Sequence, residues 1–193
     1  MADDITPALG RRIVVVGGTG NGKSTLAETL AQRLGLPFVE LDELFWLPNW
    51  VMSDDESFSV KVAAATSGES WVVAGNYQRI SVDVIWPRVD TMIVLEVSLV
   101  TQLRRLIARS WRRSRSNELL WGTNYERLWK HFFHRDSLLL FALRTHRKTR
   151  DRYRSMMADP EWAHIDFIHL RSPAEAARWL ASEVPEVRQS EPE

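Results

Sequence analysis

The sequence contains no cysteine, which excludes disulfide bonds and thiolate metal sites. It also contains no run of about 18 apolar residues, so a membrane-spanning helix is not predicted. The first residues show neither the basic region nor the apolar stretch of a secretory signal. We therefore expect a cytoplasmic protein that does not use a membrane as its partner.

Net charge is zero, because 25 Lys plus Arg residues balance 25 Asp plus Glu residues. The charge is nevertheless unevenly distributed, since residues 101–154 carry 15 Lys plus Arg but only 4 Asp plus Glu. A basic segment attracts polyanions. The pattern indicates a surface either for nucleotide phosphates or for nucleic acid. The sequence does not indicate the oligomeric state.

Five short apolar runs predict the strands of a parallel sheet that is buried on both faces: residues 13–16, 38–41, 71–74, 91–97 and 165–170. Helical patterns fill the gaps, so the predicted fold class is α/β in one domain over residues 1–193. We place the core at about 11–183 and a frayed tail at 184–193. Two stretches interrupt the alternation, at about 43–68 and at about 110–124, and both are candidate ligand-binding insertions.

Residues 17–24 read Gly-Gly-Thr-Gly-Asn-Gly-Lys-Ser, between an apolar strand and a helical stretch. This is the G-x-x-x-x-G-K-S phosphate loop, whose backbone N–H groups surround phosphate oxygens at a helix N-terminus. Lys23 is expected to reach the β- and γ-phosphates of ATP, and the Ser24 hydroxyl to ligate Mg²⁺. The predicted nucleotide-binding residues are Gly18, Thr19, Gly20, Asn21, Gly22, Lys23, Ser24 and Thr25.

Further elements follow the loop in a characteristic order. They are Leu41-Asp42-Glu43-Leu44-Phe45-Trp46, Trp71-Val72-Val73-Ala74-Gly75-Asn76-Tyr77, Asp90-Thr91-Met92-Ile93-Val94-Leu95 and an arginine-rich segment. Over roughly residues 11–182 the chain resembles the adenylate-kinase-like P-loop proteins often labelled topology modulation proteins, relatives of nucleoside monophosphate, shikimate and gluconate kinases. The resemblance implies a five-stranded parallel sheet of order 2-3-1-4-5, a substrate-binding insertion, an arginine lid, and an adenine-contacting loop containing Arg171 and Ser172.

Asp42 lies at the carboxyl end of the second strand, where shikimate- and gluconate-type kinases place an acceptor-binding carboxylate. Two functional roles are open for it: general base towards a substrate hydroxyl, or a carboxylate that orients Mg²⁺. Glu40 points to the same side of the strand and could share the metal-orienting role. A purely structural alternative is that Asp42 is a helix N-cap.

Four other residues are predicted to contact the acceptor. Trp46 could stack on a planar group, Gly75 could allow close backbone approach, Asn76 could donate or accept a hydrogen bond, and Arg79 could meet an acceptor anion. The resembled proteins commonly carry an acidic residue where this chain has Ala74. That departure leaves room for a protein that binds nucleotide and turns it over poorly.

Arg109, Arg112, Arg113 and Arg115 cluster where the lid is expected. Guanidinium groups stabilise the charge on a phosphoryl group during its transfer, so Arg109 and Arg113 are the candidate catalytic cations, with Lys23 and Asp42 completing the set. Alternatively, these arginines could simply be solvent-exposed residues at the end of a helix.

The sequence therefore predicts a P-loop kinase that transfers the γ-phosphoryl group of Mg-ATP to a small acceptor, with a nucleoside or nucleotide as the first expectation. One alternative is a nucleotide-dependent regulatory or nucleic-acid-binding ATPase with weak turnover, acting through the basic segment 101–154. Another is a kinase for RNA ends or small antibiotics, which would share the chemistry and differ in acceptor.

Overall fold

The computed structural model describes residues 9–116, 119–120, 124–125 and 138–184. Within these residues the strands are β1 (Arg12–Gly17), β2 (Phe38–Glu40), β3 (Trp46–Leu47), β4 (Val51–Met52), β5 (Trp71–Ala74), β6 (Thr91–Leu95), β7 (Leu119–Leu120), β8 (Asn124–Tyr125) and β9 (Asp166–Leu170). The helices are α1 (Lys23–Leu34), α2 (Leu41–Phe45), α3 (Asp55–Ala65), α4 (Gln78–Val84), α5 (Leu99–Ser116), α6 (Leu138–Met157) and α7 (Pro173–Glu183). Short 3₁₀ turns occupy Pro48–Trp50, Trp86–Arg88 and Pro160–Trp162.

A five-stranded sheet forms the centre of the molecule, in the order β2-β5-β1-β6-β9 with every neighbouring pair parallel. Counted along the five predicted strands, this is the order 2-3-1-4-5, so the predicted fold class and topology are confirmed. The central strand β1 aligns Val14 with Val73 of β5 on one side and with Met92 of β6 on the other.

Alternating residues of β1 point to opposite faces of the sheet, and each face is covered. Val14 and Val16 belong to one hydrophobic cluster, whereas Ile13 and Val15 belong to the other. Burial on both faces explains why the strand sequences are continuously apolar. Trp71 and Trp86 are 1% and 3% exposed and pack in one of these clusters.

Side-chain caps fix the starts of two helices. The Asp54 carboxylate accepts a hydrogen bond from the Ser57 N–H at 2.8 Å and begins α3. The Ser172 hydroxyl accepts from the Glu175 N–H at 3.1 Å and begins α7, with Pro173 in its first turn.

The insertions differ in detail from the sequence expectation. Residues 43–68 contain the end of α2, an antiparallel hairpin of β3 with β4, and α3. The segment predicted as a lid at 110–124 is helical as far as Ser116, because α5 continues through its arginine-rich end, and β7 and β8 form a second hairpin beyond it. Residues 185–193 of the predicted tail lie outside the described residues. In the described part of the chain, every helix is too short or too polar to cross a bilayer.

Candidate active site

A cavity of about 1980 Å³ opens at the carboxyl ends of the parallel strands. Its wall combines the loop after β1, the start of α1, the segment after β2, the β3–β4 hairpin, the loop after β5, the arginine face of α5 and part of α7. Ligands of open α/β sheets bind at this edge, since the connecting loops converge there. The predicted functional segments therefore surround one space.

The phosphate loop folds as its glycines require. Gly20 and Gly22 have φ angles of 81° and 95°, which a side chain would strain. Gly22 precedes α1 without any side-chain cap, and the first turn of α1 carries no acidic residue. The N–H groups at this helix end are thus available to an anion, and the helix dipole favours one.

Lys23 extends across the loop, where its Nζ donates a hydrogen bond to the Gly18 carbonyl at 3.2 Å. Burial lowers the pKa of Lys23 from its ordinary value, while the negative charges of Asp42 and Glu40 oppose that shift. The ammonium group thus lies beside two carboxylates and next to the loop that would hold phosphates.

Glu40 and Asp42 occupy the junction of β2 with α2. Glu40 is the N-cap of α2, because its carboxylate accepts from the Asp42 N–H at 3.5 Å, so the alternative of Asp42 as the N-cap is wrong. Burial raises the pKa of Glu40 to about 7. A hydrogen bond with Ser24 lowers this pKa, whereas the negative charge of Asp42 raises it further. Ser24, Glu40 and Asp42 therefore form a set of oxygen atoms on one wall.

Asp42 is held by a neighbour that the sequence does not single out for this task. The Tyr77 hydroxyl donates to Asp42 Oδ1 at 2.6 Å. Burial, together with the Asp42 charge, raises the pKa of Tyr77 well above its ordinary value, so the phenol stays protonated and remains a donor. The Tyr77 ring packs against Phe45 and Phe58 at centroid distances of 4.6 and 4.9 Å, which fixes its position.

Gly75 and Asn76 follow β5 and line the cavity. A Cβ at Gly75 would lie 2.6 Å from Leu41 Cβ, so this position needs glycine for the close packing of β5 against α2. The Asn76 Oδ1 accepts a hydrogen bond from the buried Tyr153 hydroxyl of α6. Ala74, which replaces an expected acid, is fully buried within β5.

The β3–β4 hairpin brings Trp46 and Trp50 to the cavity, in an edge-to-face pair with centroids 5.6 Å apart. Asn124 of β8 connects this hairpin to the β7–β8 hairpin. Its Oδ1 accepts from the Trp50 N–H at 2.8 Å, and its Nδ2 donates to the Leu47 carbonyl at 3.2 Å. Trp50 and Asn49 both have left-handed backbone, with φ angles of 60° and 62°.

Much of the basic segment faces the same cavity. Its described arginines that line the wall are Arg105, Arg109, Arg112, Arg113 and Arg144. The positive charge of Arg109 acts on Lys23, so this turn of α5 lies near the phosphate loop. Arg115 is exposed on α5 and lies outside the wall.

Two predicted binding residues do not reach the cavity. Arg79 is 86% exposed and forms an ion pair with Asp55 at 2.9 Å, because α4 presents it to the first turn of α3; this corrects its predicted acceptor contact. Arg171 is exposed outside the wall, and its N–H donates to Glu175, whereas the adjacent Ser172 does line the cavity.

The oxygen set on the wall fits a magnesium ion that shares its ligands with phosphates. Among the described residues, no group of three or more His, Cys, Asp or Glu side chains could enclose a metal alone. Mg²⁺ is usually bound by one or two carboxylates, water and substrate phosphates. Ser24, Glu40 and Asp42 beside the glycine loop match that donor set.

No family model matches the chain, and no curated protein matches it. The fold is, however, similar to solved structures. A gluconokinase from Sinorhizobium meliloti 1021 aligns at 18% identity over 89% of this chain and 92% of that chain, with a TM-score of 0.50. Shikimate kinase from Bacteroides thetaiotaomicron aligns at 16% identity over 88% and 96%, also with 0.50. Shikimate kinase from Acinetobacter baumannii, in complex with shikimate, aligns at 22% identity over 89% and 91%, with 0.53.

These alignments span nearly the whole of each structure at low sequence identity, so they are evidence for a shared fold. Together with the glycine loop and the sheet order, they show that this chain has the fold of the P-loop kinases.

Proposed function

We propose that this protein is a kinase that transfers the γ-phosphoryl group of Mg-ATP to a hydroxyl group of a small acceptor. The observation that carries the proposal is the convergence of the phosphate loop, the Glu40 and Asp42 pair and the arginine face of α5 on one cavity. Phosphoryl transfer needs positioning and charge stabilisation more than covalent chemistry, and these groups supply both.

The nucleotide would lie with its phosphates against residues 18–25. Lys23 would turn from the Gly18 carbonyl to the phosphate oxygens, and Ser24 with Glu40 and Asp42 would hold Mg²⁺ directly or through water. The ion, when bound, neutralises phosphate charge and aligns the oxygens. Ser172, which lines the cavity wall, would contact the adenine base.

The acceptor would lie between Asp42, Asn76 and the Trp46–Trp50 pair. Asp42 Oδ1 is engaged by Tyr77, which leaves Oδ2 to accept the proton of the attacking hydroxyl. The acceptor oxygen forms a bond to the γ-phosphorus while the bond from that phosphorus to the β–γ bridging oxygen breaks. ADP is the leaving group, and Arg109 and Arg113 face the transferred group.

The acceptor class stays a prediction. A nucleoside or nucleotide is our first expectation from the sequence, and the structural neighbours add hydroxylated acids, since they include a gluconokinase and a shikimate kinase with bound shikimate. The kinship to topology modulation proteins likewise stays a prediction. The similar structures are small-molecule kinases, which gives no support to the nucleic-acid alternative.

The test is ADP release in the presence of Mg-ATP and a panel of nucleosides, nucleotides, sugar acids and shikimate. We expect at least one acceptor to stimulate ADP release, and Lys23→Ala to abolish the stimulation. The same basal rate with every acceptor class would overturn the transferase assignment. Stimulation that survives in Lys23→Ala would show that the activity comes from another site or a contaminant.

A further inference from the structure

The start of α5 contacts the phosphate loop through Gln102, a residue that lies outside the loop motif. Gln102 is fully buried, and its Nε2 donates to the Thr19 carbonyl at 2.6 Å. Its Oε1 lies 2.8 Å from His146 Nδ1 of α6. Both ends of the amide are therefore engaged, so its orientation is fixed: His146 donates to the oxygen, and the nitrogen donates to the loop.

A second side chain on the same helix repeats this contact. Arg105 Nη1 donates to the Asn21 carbonyl at 2.8 Å. Helix α5 also packs closely against Gly20, because a Cβ there would lie 2.7 Å from Leu106 Cγ and 3.3 Å from the Gln102 carbonyl oxygen. Helix α5 and the loop are thus in direct contact over the peptides that begin at Thr19 and at Asn21.

These contacts set the direction of the loop N–H groups. In a trans peptide the C=O and N–H bonds point to opposite sides of the chain, and the described residues contain no cis peptide. When the Thr19 carbonyl faces Gln102, the Gly20 N–H faces away from α5. In the same way, the Asn21 carbonyl faces Arg105, so the Gly22 N–H faces away from α5. Gly20 and Gly22 both line the cavity.

We propose that Gln102 is a positioning residue for nucleotide binding: it holds the phosphate loop with its N–H groups directed at the phosphate site before ATP arrives. The inference rests on the proposed function and extends it to a residue that does not touch the ligand. A preformed anion site avoids the cost of ordering the loop during binding. Without the Gln102 amide, a carbonyl of the loop is free to turn towards the phosphates.

The same face of α5 continues into the lid. Positions 102, 105, 109 and 113 follow one another at helical spacing, so the first turns hold the loop and the later turns carry the arginines that line the cavity. Any shift of α5 that brings Arg109 and Arg113 closer to the phosphates also moves the residues that orient the loop. Helix α5 thus carries both the side chains that contact the loop and the arginines that line the cavity.

The test uses Gln102→Met, which keeps the length of the side chain and removes both hydrogen bonds, and Gln102→Glu, which places an oxygen against the Thr19 carbonyl. Calorimetric titration with Mg²⁺ and a non-hydrolysable ATP analogue should show affinity about tenfold lower for Gln102→Met and lower still for Gln102→Glu. The matched control is Thr66→Val, which removes a buried hydrogen bond to the Val62 carbonyl in α3, remote from the cavity. It should lower the melting temperature and leave the affinity unchanged.

A second readout needs neither ligand nor activity. Thr19-Gly20 is the only Thr-Gly pair in the sequence, so labelling Thr with ¹³C at the carbonyl and Gly with ¹⁵N isolates one amide correlation. This is the peptide that Gln102 contacts. We expect its resonance to move or broaden in Gln102→Met without nucleotide, and to keep its position in Thr66→Val.

The outcomes separate this inference from the proposed function. If the unsubstituted protein fails to bind the Mg²⁺–nucleotide analogue, the proposed function is overturned, together with the nucleotide role of Gln102. If it binds and Gln102→Met binds equally well with an unmoved Thr19-Gly20 resonance, only the positioning role is overturned.

Discussion

The Tyr77 hydroxyl donates a 2.6 Å hydrogen bond to Oδ1 of Asp42, a residue that lines the cavity. The bond is short because the acceptor is charged and the phenol is largely removed from water. Tyr77 therefore helps to set the rotamer of the candidate general base.

The first prediction concerns this pair. Tyr77→Phe should lower kcat for acceptor-dependent ADP release by about tenfold, because Asp42 loses the partner that orients it. Binding of the Mg²⁺–nucleotide analogue should be unchanged, and stability should fall by about 1 kcal/mol. An unaltered kcat would remove Tyr77 from the mechanism.

The second prediction concerns the arginine face of α5. Arg109→Ala or Arg113→Ala should reduce kcat by about 10²-fold, since each guanidinium lines the cavity where negative charge would develop. Arg104→Ala is the matched control, because Arg104 is exposed on the same helix outside the wall. Steady-state rates at saturating Mg-ATP provide the measurement. Equal rates in Arg109→Ala, Arg113→Ala and Arg104→Ala would contradict a lid role for this face.

The third prediction concerns Gly75. Gly75→Ala should destabilise the protein by roughly 1–3 kcal/mol and reduce activity, because its methyl group would overlap Leu41 beside Asp42. Gly68→Ala is the control: the nearest atom to its added Cβ is the Ser70 carbonyl oxygen at 3.8 Å. Urea unfolding should separate the two variants, and similar midpoints for both would show that the contact with Leu41 relaxes easily.

The fourth prediction is a pH dependence of stability in metal-free buffer. The pKa of Glu40 rises on folding from about 4.5 to about 7 because the carboxyl group is buried. The native state thus binds more protons here between these values, so the free energy of unfolding falls as pH increases from about 4.5 to 7. Glu40→Gln should remove this contribution, which amounts to about 3 kcal/mol at pH 8 relative to pH 4.5.

Urea unfolding from pH 4.5 to 8 with a chelator present measures that contribution. The control variant is Glu43→Gln, at the exposed neighbouring acid. If Glu40→Gln and the unsubstituted protein have parallel pH profiles, Glu40 does not carry the dependence.

The sequence predicts those features that local chemistry determines. Apolar runs locate all five strands of the central sheet, and the glycine motif locates the loop between β1 and α1. The Asp54 and Ser172 caps mark two helix starts. These signals lie within a few residues of what they specify, so no long-range contact is needed to interpret them.

The features that the sequence does not reveal depend on contacts between distant segments. Gln102 meets Thr19 across 83 positions, and Tyr153 meets Asn76 across 77. Neither belongs to a recognisable motif, although the position of Gln102 on the same helix face as Arg105, Arg109 and Arg113 is an available signal. Arg79 shows the opposite failure: its place after Gly-Asn-Tyr indicates a ligand contact, but the nearby Asp55 on α3 pairs with it at the surface.

The two consecutive left-handed residues at Asn49 and Trp50 make the β3–β4 hairpin depend on the β7–β8 hairpin. Asparagine tolerates this backbone region, but tryptophan adopts it only at a cost of roughly 1–3 kcal/mol. The hydrogen bond from the Trp50 N–H to the Asn124 side chain offsets part of that cost. In Asn124→Ala the turn would lose this hydrogen bond, and we expect the β3–β4 hairpin to relax, because the left-handed backbone at Trp50 is then less well stabilised.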